Sequence, residues 1–157
     1  MNQPDPQLIV KHVDDLPWHE VRSQQIGERR TSVWNRFVDI TDDRTVAYTR
    51  YDAGVMLPRH SHHSDEVIYI IEGEVTVGDQ SWPAGTAAIL EAGKFFGPLV
   101  AGPQGALLFE VFTGRADRSG QDRTGFAELL AAKGSVELPD APFTLPPRRS
   151  RGAPAPS

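Results

Sequence analysis

The stretch Arg59-His60-Ser61-His62-His63-Ser64-Asp65-Glu66 places three of the chain's five histidines beside a carboxylate. Side chains alternate between the two faces of a β-strand, so an extended run projects His60 and His62 to one side, about 6–7 Å apart. Glu66 has the same parity. Two neutral imidazole nitrogens and one carboxylate oxygen suit a divalent first-row metal, so the pattern predicts a site for iron, manganese, nickel, copper or zinc.

The residues around this stretch define the rest of the predicted pocket. Ile68 and Ile70 share the parity of Glu66 and would form an apolar floor, whereas His63 has the opposite parity and would point outward. A bulge in the strand would break this alternation. The alternative interpretation is that the histidines are exposed loop residues next to a strand, which leaves the matching parity of Glu66 without a reason.

Composition narrows the classes of protein. The chain has 157 residues, enough for one domain, and no cysteine, which excludes disulfide scaffolds and thiolate metal sites. Its formal net charge of −5 argues against nucleic acid as a partner. The sequence shows no apolar run long enough for a membrane span and no secretory signal pattern. We therefore expect a cytoplasmic protein that acts away from membranes.

Short strand-like runs fill the middle of the chain and are separated by glycine and proline turns. This pattern predicts an all-β barrel or sandwich, with Glu72-Gly73-Glu74 as a hairpin turn and one helix over residues 125–133, capped by Thr124. The predicted division of the chain has four parts: an N-terminal arm (1–32), a β-barrel (33–114), a C-terminal helical extension (115–145) and a mobile tail (146–157).

The spacing around the histidines resembles the first motif of the cupin superfamily. That motif is matched by Gly54, five residues, His60-Ser61-His62, three residues, Glu66, six residues and Gly73, with every position filled. The resemblance covers roughly residues 33–114. It implies a single-domain cupin, a double-stranded β-helix or jelly-roll barrel with a short C-terminal helix, whose interior holds a metal on His60, His62 and Glu66.

The second cupin motif is incomplete. Gly85 and Gly93 are present, but Phe96 stands where the motif has its metal-binding histidine, and phenylalanine cannot coordinate a metal. One interpretation is that His60, His62 and Glu66 still hold a metal, as the facial triad of non-haem iron oxygenases does, with Phe96 as an apolar pocket wall. The other is that the metal site has decayed and that the domain binds a ligand or partner without catalysing a reaction.

The resemblance sets the functional expectation. It implies a metal-dependent enzyme acting on a small organic molecule, with dioxygenase-type oxidoreductase chemistry as the commonest precedent and isomerase or cyclase activity as alternatives. The rival is a non-catalytic cupin that senses a small ligand or binds a protein. Glu110, in an apolar strand, is either an edge residue facing water or a cavity residue that serves as a fourth metal ligand or as a catalytic acid–base group. A homodimer is expected, because the N-terminal arm and the helix offer contact surface.

Overall fold

The computed structural model describes residues 4–154. Eleven β-strands and one α-helix make up its regular structure, preceded by a short 3-10 turn at Val13–Asp15. The strands are β1 (His19–Ile26), β2 (Arg29–Ile40), β3 (Thr45–Tyr51), β4 (Met56–Leu57), β5 (Arg59–His62), β6 (Glu66–Val77), β7 (Gln80–Pro83), β8 (Ala87–Leu90), β9 (Leu99–Phe112), β10 (Arg118–Asp122) and β11 (Ser135–Glu137), and the helix is α1 (Phe126–Ala132).

Two antiparallel sheets form the jelly-roll barrel. The larger has the strand order β11-β1-β2-β3-β9-β6-β7, with β4 added on β9 and β8 added on β6. The smaller consists of β10 and β5. The apolar core lies inside the barrel, where fully buried Ile70, Val75 and Leu108 pack with their neighbours. The predicted all-β class and the single short helix are confirmed. No helix among residues 4–154 has the length and apolar character needed to cross a membrane.

The predicted hairpin at Gly73 is wrong, because β6 runs unbroken from Glu66 to Val77. Gly73 pairs with Ala106 of β9, and the register shifts on both sides of it. Its φ of +73° is left-handed, and a Cβ at this position would overlap the carbonyl oxygen of Gly105. The glycine therefore permits a bulge and a close backbone approach within a long strand, two roles that glycine takes in strands. The chain turns later, where Val77 pairs with Gln80.

The N-terminal segment contributes strands to the barrel. β1 pairs with β2 and β11, and the boundary drawn at residue 33 falls inside β2. The sequence of β1 is polar and does not signal a strand of the barrel, because part of the packing of β1 against its neighbours is polar. The buried Gln24 side chain donates to the Met56 carbonyl at 2.6 Å and accepts from the Met56 N–H at 3.0 Å, which ties β1 to β4. Residues 1–3 lie outside the described part.

The helix packs on the barrel through Phe126 and Leu130, which contact the fully buried Met56. Gly125, with φ of +74°, is the N-cap residue and offers no side-chain cap. The expected cap at Thr124 is therefore wrong. The Thr124 N–H instead donates to Asp122 Oδ1 at 2.9 Å in the turn before the helix. The buried face, and not a strong cap, holds this short helix in place.

Residues 146–154 lie against the barrel, although a mobile tail was expected. The Arg149 N–H donates to the Ile40 carbonyl at 2.7 Å, and its guanidinium pairs with Asp39 at 2.9 Å. This contact lowers the pKa of Asp39. Arg148 and Arg151 pair with Asp42 and Asp43. The basic segment thus has an acidic partner in the turn between β2 and β3, while residues 155–157 lie outside the described part.

Substituting Gly73→Ala tests the bulge. A Cβ there adds a backbone clash to the left-handed strain of about 1–2 kcal/mol, so we expect the free energy of unfolding in urea to fall by more than about 2 kcal/mol. Gly27→Ala is the matched control, because Gly27 has φ of +58° but open space around its Cβ position. Equal losses for the two variants would show that backbone proximity to β9 does not constrain β6.

Candidate functional site

A cavity of about 240 Å³ opens at one end of the barrel between the two sheets. Its lining combines apolar side chains with a polar group contributed by β3, β5, β6 and β9. The residues of this group are Thr49, Tyr51, His60, His62, Glu66 and Glu110. The strands that carry the predicted ligands therefore do bring them to one cavity. The expected unbroken strand is interrupted, since β5 ends at His62 and β6 begins at Glu66.

His60 is held at the base of the cavity from two sides. Its backbone forms a bridge with Phe96, with two N–H to carbonyl hydrogen bonds of 3.0 Å. Its Nδ1 lies 2.8 Å from the Pro58 carbonyl oxygen, which can only accept, so Nδ1 carries the proton. The Nε2 lone pair is then free. Burial, with a further contribution from Arg118, lowers the pKa of His60 to about 3, which keeps the ring neutral.

His62 has the same arrangement. Its Nδ1 donates to the Ala116 carbonyl at 3.0 Å, so Nε2 again presents a lone pair. That Nε2 lies 3.6 Å from Glu66 Oε2. Burial lowers the pKa of His62 as well. The rings of His60 and His62 have centroids 5.0 Å apart. Hydrogen bonding of one ring nitrogen to a carbonyl, leaving the other free, is how proteins orient a histidine that binds a metal.

Glu66 is the buried acid of the site, with 2 % of its surface exposed. Its Oε2 is buried and has no hydrogen-bond partner among residues 4–154. Burial first, and the neighbouring Glu110 second, raise the pKa of Glu66 well above its ordinary value. A buried carboxyl without a partner oxygen or nitrogen is energetically unfavourable in its charged form. It requires either a proton or a cation.

Glu110 points into the cavity and not toward an edge in water. It is 7 % exposed, and Thr49 Oγ1 donates to its Oε2 at 2.7 Å. Burial raises the pKa of Glu110 to about 7, against the lowering effect of the Thr49 hydrogen bond. Its neighbour in register on β6 is Ile68, whose side chain lines the same cavity. The site thus holds two carboxyls that cannot easily be charged together.

Phe96 stands where the second cupin motif has a histidine. Its ring packs on His60, with centroids 4.6 Å apart, and it forms part of the cavity wall with Ile68. Ile70, expected in the pocket, does not line it: this residue is fully buried among core side chains, one pleat further along β6. His63 is exposed, on the side away from the cavity lining.

The donor chemistry fits a divalent metal, but the side chains are not gathered into a closed shell. Among the described residues, no three His, Asp or Glu side chains are close enough to enclose an ion. The observations in favour are the two free Nε2 lone pairs and the unpartnered Glu66 Oε2. Glu66, His60 and His62 are therefore the residues that would hold a metal in this cavity.

Several residues that line the cavity were not predicted from the sequence. Arg22 lies in the polar strand β1, and Arg118 lies in β10, whose sequence Arg-Ser-Gly-Gln-Asp lacks β-forming residues. Arg118 pairs with His62 in register, a contact across many residues that no local pattern signals. Phe143 and Leu145, beyond the helix, also reach the cavity. The alternation of β3 could have indicated Thr49 and Tyr51, which share one face of that strand.

Comparison with solved structures identifies proteins of the same fold. They include a proposed acetylacetone dioxygenase from Methylibium petroleiphilum PM1, at 12 % identity and a TM-score of 0.60 over 81 % of this chain and 98 % of that chain. The polyketide cyclase RemF from Streptomyces resistomycificus matches at 18 % identity and a TM-score of 0.56, over 73 % and 83 %. At these identities the likeness concerns the fold.

A third match is the Rhodobacter sphaeroides SigE–ChrR complex, at 14 % identity and a TM-score of 0.50, over 65 % of this chain and 52 % of that chain. No curated protein matches the sequence. The family model described as the ChrR cupin-like domain matches residues 6–115, well over half of the chain. That span includes β1 and β2 as well as the histidine motif, which confirms the resemblance seen in the sequence. The chain belongs to the ChrR cupin-like family of the cupin superfamily.

Proposed function

We propose that this cupin binds a divalent first-row transition metal through His60, His62 and Glu66, and that it acts on a small organic molecule in the cavity. The observation that carries this proposal is the buried, unpartnered Oε2 of Glu66, 3.6 Å from the free Nε2 of His62. A cation between them removes the need to protonate the carboxyl. The donor set suits iron, manganese, nickel, copper or zinc.

When bound, the metal supplies Lewis acidity toward a substrate oxygen or, if it is iron, dioxygenase chemistry. The protein supplies the remaining parts. The carbonyls of Pro58 and Ala116 keep both imidazoles in the ligand tautomer. Phe96 and Phe112 shape an apolar wall beside them. The first candidate for the reaction is oxidation of the dioxygenase type. This assignment comes from the resemblance of the sequence to cupins.

Proton transfer is the second candidate, of the kind that isomerases and cyclases use. The observation that favours it is Glu110, a buried carboxyl in the same cavity whose pKa is raised to about 7. A group that titrates near neutral pH can both give and accept a proton under working conditions. Thr49 Oγ1 fixes the orientation of this carboxyl through its hydrogen bond to Oε2.

A non-catalytic role is the rival to both. Phe96 leaves the site one ligand short of the full cupin set, and the family model is named after ChrR, which was solved in complex with the sigma factor SigE. A cupin of this kind would bind metal or a ligand and signal through a partner. This non-catalytic role predicts binding of a metal or a ligand without turnover, whereas the enzyme proposal requires both metal binding and turnover.

Metal content tests the proposed ligands. We expect reconstituted wild-type protein to retain about one equivalent of metal, and His62→Ala and Glu66→Gln to bind at least about tenfold more weakly, because each loses one of three donors. His63→Ala is the matched control, since His63 is exposed and faces away from the cavity. The measurement is plasma mass spectrometry after dialysis. Equal retention by Glu66→Gln and His63→Ala would contradict the ligand assignment.

The acid–base proposal predicts a pH dependence of stability in chelator-treated protein. Between the unfolded pKa of a glutamate, about 4.3, and the folded value of about 7, the folded state keeps a proton that the unfolded state has released. Glu110 therefore contributes stability that is lost as pH rises through this window, whereas His60 and His62, whose pKa values are lowered, contribute stability that is gained. In urea titrations the difference in the free energy of unfolding between wild type and Glu110→Gln should fall as pH rises, and Thr49→Val should extend the Glu110 contribution to higher pH. A difference between wild type and Glu110→Gln that rises or stays constant across the window would contradict the assignment.

We further propose a homodimer formed through the outer face of β6 and β8. Val67, Tyr69 and Ile89 are 38 %, 45 % and 75 % exposed there, and Val67 pairs with Ile89 in register. Exposed apolar clusters of this kind mark interaction surfaces. The helix face named earlier is used internally by Phe126 and Leu130.

Light scattering at micromolar concentration tests the dimer. The wild type should have twice the monomer mass, and Ile89→Asp should be monomeric because a charge is placed in an apolar interface. Val136→Asp is the control, since Val136 is also exposed but lies on β11, which pairs with β1 at the other end of the sheet path. A monomeric wild type, or loss of dimer in the control alone, would contradict the choice of face.

A further inference from the structure

Two arginines reach the cavity from different sheets. Arg22 lies on β1 of the larger sheet and Arg118 on β10 of the smaller one, and both side chains line the cavity that holds His60 and His62. Arg118 pairs in register with His62 itself. The two guanidiniums therefore stand in the same space as the proposed metal ligands, and both are only partly exposed.

Neither arginine has a carboxylate partner within 4.0 Å among residues 4–154, whereas most other arginines of this chain do. Arg118 donates from one nitrogen to Gln121 Oε1 at 2.7 Å, which leaves its other N–H groups available. Asp117 also lines the cavity, but it pairs with Arg115 at 2.7 Å.

Two cations held together in a partly buried place repel each other. Burial, and then the proximity of Arg22, lower the pKa of Arg118 to about 10, so it remains charged at neutral pH. The same two arginines also act on His60, whose pKa they lower. An anion between the guanidiniums would relieve the repulsion and satisfy their donors.

The surroundings limit the size and character of that anion. Val21, Phe96 and Phe112 line the same cavity as the two arginines and the two histidines, and the whole cavity measures about 240 Å³. Arg148 also borders the cavity but pairs with Asp42. A planar carboxylate matches two guanidinium forks.

We propose that the cavity takes a small organic carboxylate, with its carboxylate group held between Arg22 and Arg118 and its apolar body against Phe96 and Phe112. This inference rests on the proposed function in one respect, because it makes the carboxylate the substrate class of the proposed metal site. It refines the sequence-based expectation of an apolar pocket wall at Phe96: the body of the substrate is apolar, but one end carries a negative charge.

Binding of benzoate and its neutral analogue benzamide tests this proposal, measured by NMR titration on chelator-treated and zinc-reconstituted protein. We expect benzoate to bind at least about tenfold more tightly than benzamide to either form, because charge-assisted hydrogen bonds are lost with the amide. Arg22→Gln and Arg118→Gln should each weaken benzoate about tenfold and leave benzamide nearly unchanged. Arg30→Gln is the control, since Arg30 pairs with Glu20 at 2.9 Å and neither residue lines the cavity.

Arg118→Lys distinguishes a lost contact from a loss of folding. This variant keeps the positive charge and should bind benzoate with an affinity between those of the wild type and Arg118→Gln. His62→Ala separates the two proposals: it should lose metal and keep benzoate binding in the chelator-treated form. Equal binding of benzoate and benzamide, or benzoate binding that survives both Arg→Gln changes in folded protein, would overturn the carboxylate proposal while leaving the metal proposal standing. Inorganic phosphate that displaces benzoate at equal concentration would overturn the choice of a carboxylate.

Discussion

Removing the Glu66 carboxyl from water is the constraint on which the site depends. The residue begins β6, inside the barrel, and its Oε2 finds no hydrogen-bond partner in the described chain. The neighbouring Glu110 adds a second buried carboxyl to the same cavity, so the pair resists being doubly charged. Such a pair is unfavourable in an apolar barrel unless protons, a metal or nearby cations compensate it. The cavity offers candidates for each: Glu110 to hold a proton, the histidines to share a metal, and Arg22 and Arg118 nearby.

The barrel orients the two histidines through its backbone. Pro58 supplies the carbonyl that fixes the His60 tautomer, and Ala116, just before β10, supplies the one that fixes His62. Because β10 pairs with β5, the same pairing that orients His62 also brings Arg118 to the cavity. One short, polar two-stranded sheet therefore orients a proposed metal ligand and positions a proposed substrate contact. Gly73 permits the bulge and the close approach to Gly105 within β6, the strand that begins with Glu66.

The sequence predicts the parts of this fold whose signals are local. The parity of His60, His62 and Glu66 is a local property, and these three side chains do reach one cavity. β3 is one of the short strand-like runs in the middle of the chain, and its residues Thr45–Tyr51 alternate between buried and half-buried positions. Gly73 misleads because a glycine signals a turn and a bulge equally well. β1 and β10 escape prediction because their residues are polar and their pairing partners are distant in sequence. The anchoring of residues 146–154 by Asp39 likewise depends on a contact across the chain.

Anomalous diffraction from a crystal of reconstituted protein, recorded on both sides of the metal's absorption edge, shows where a bound metal lies. We expect a single strong peak within bonding distance of His60 Nε2, His62 Nε2 and a Glu66 carboxylate oxygen, beside the Phe96 ring. A peak elsewhere on the molecule, or no peak in the barrel after soaking with iron, manganese, nickel, copper and zinc in turn, would contradict this expectation.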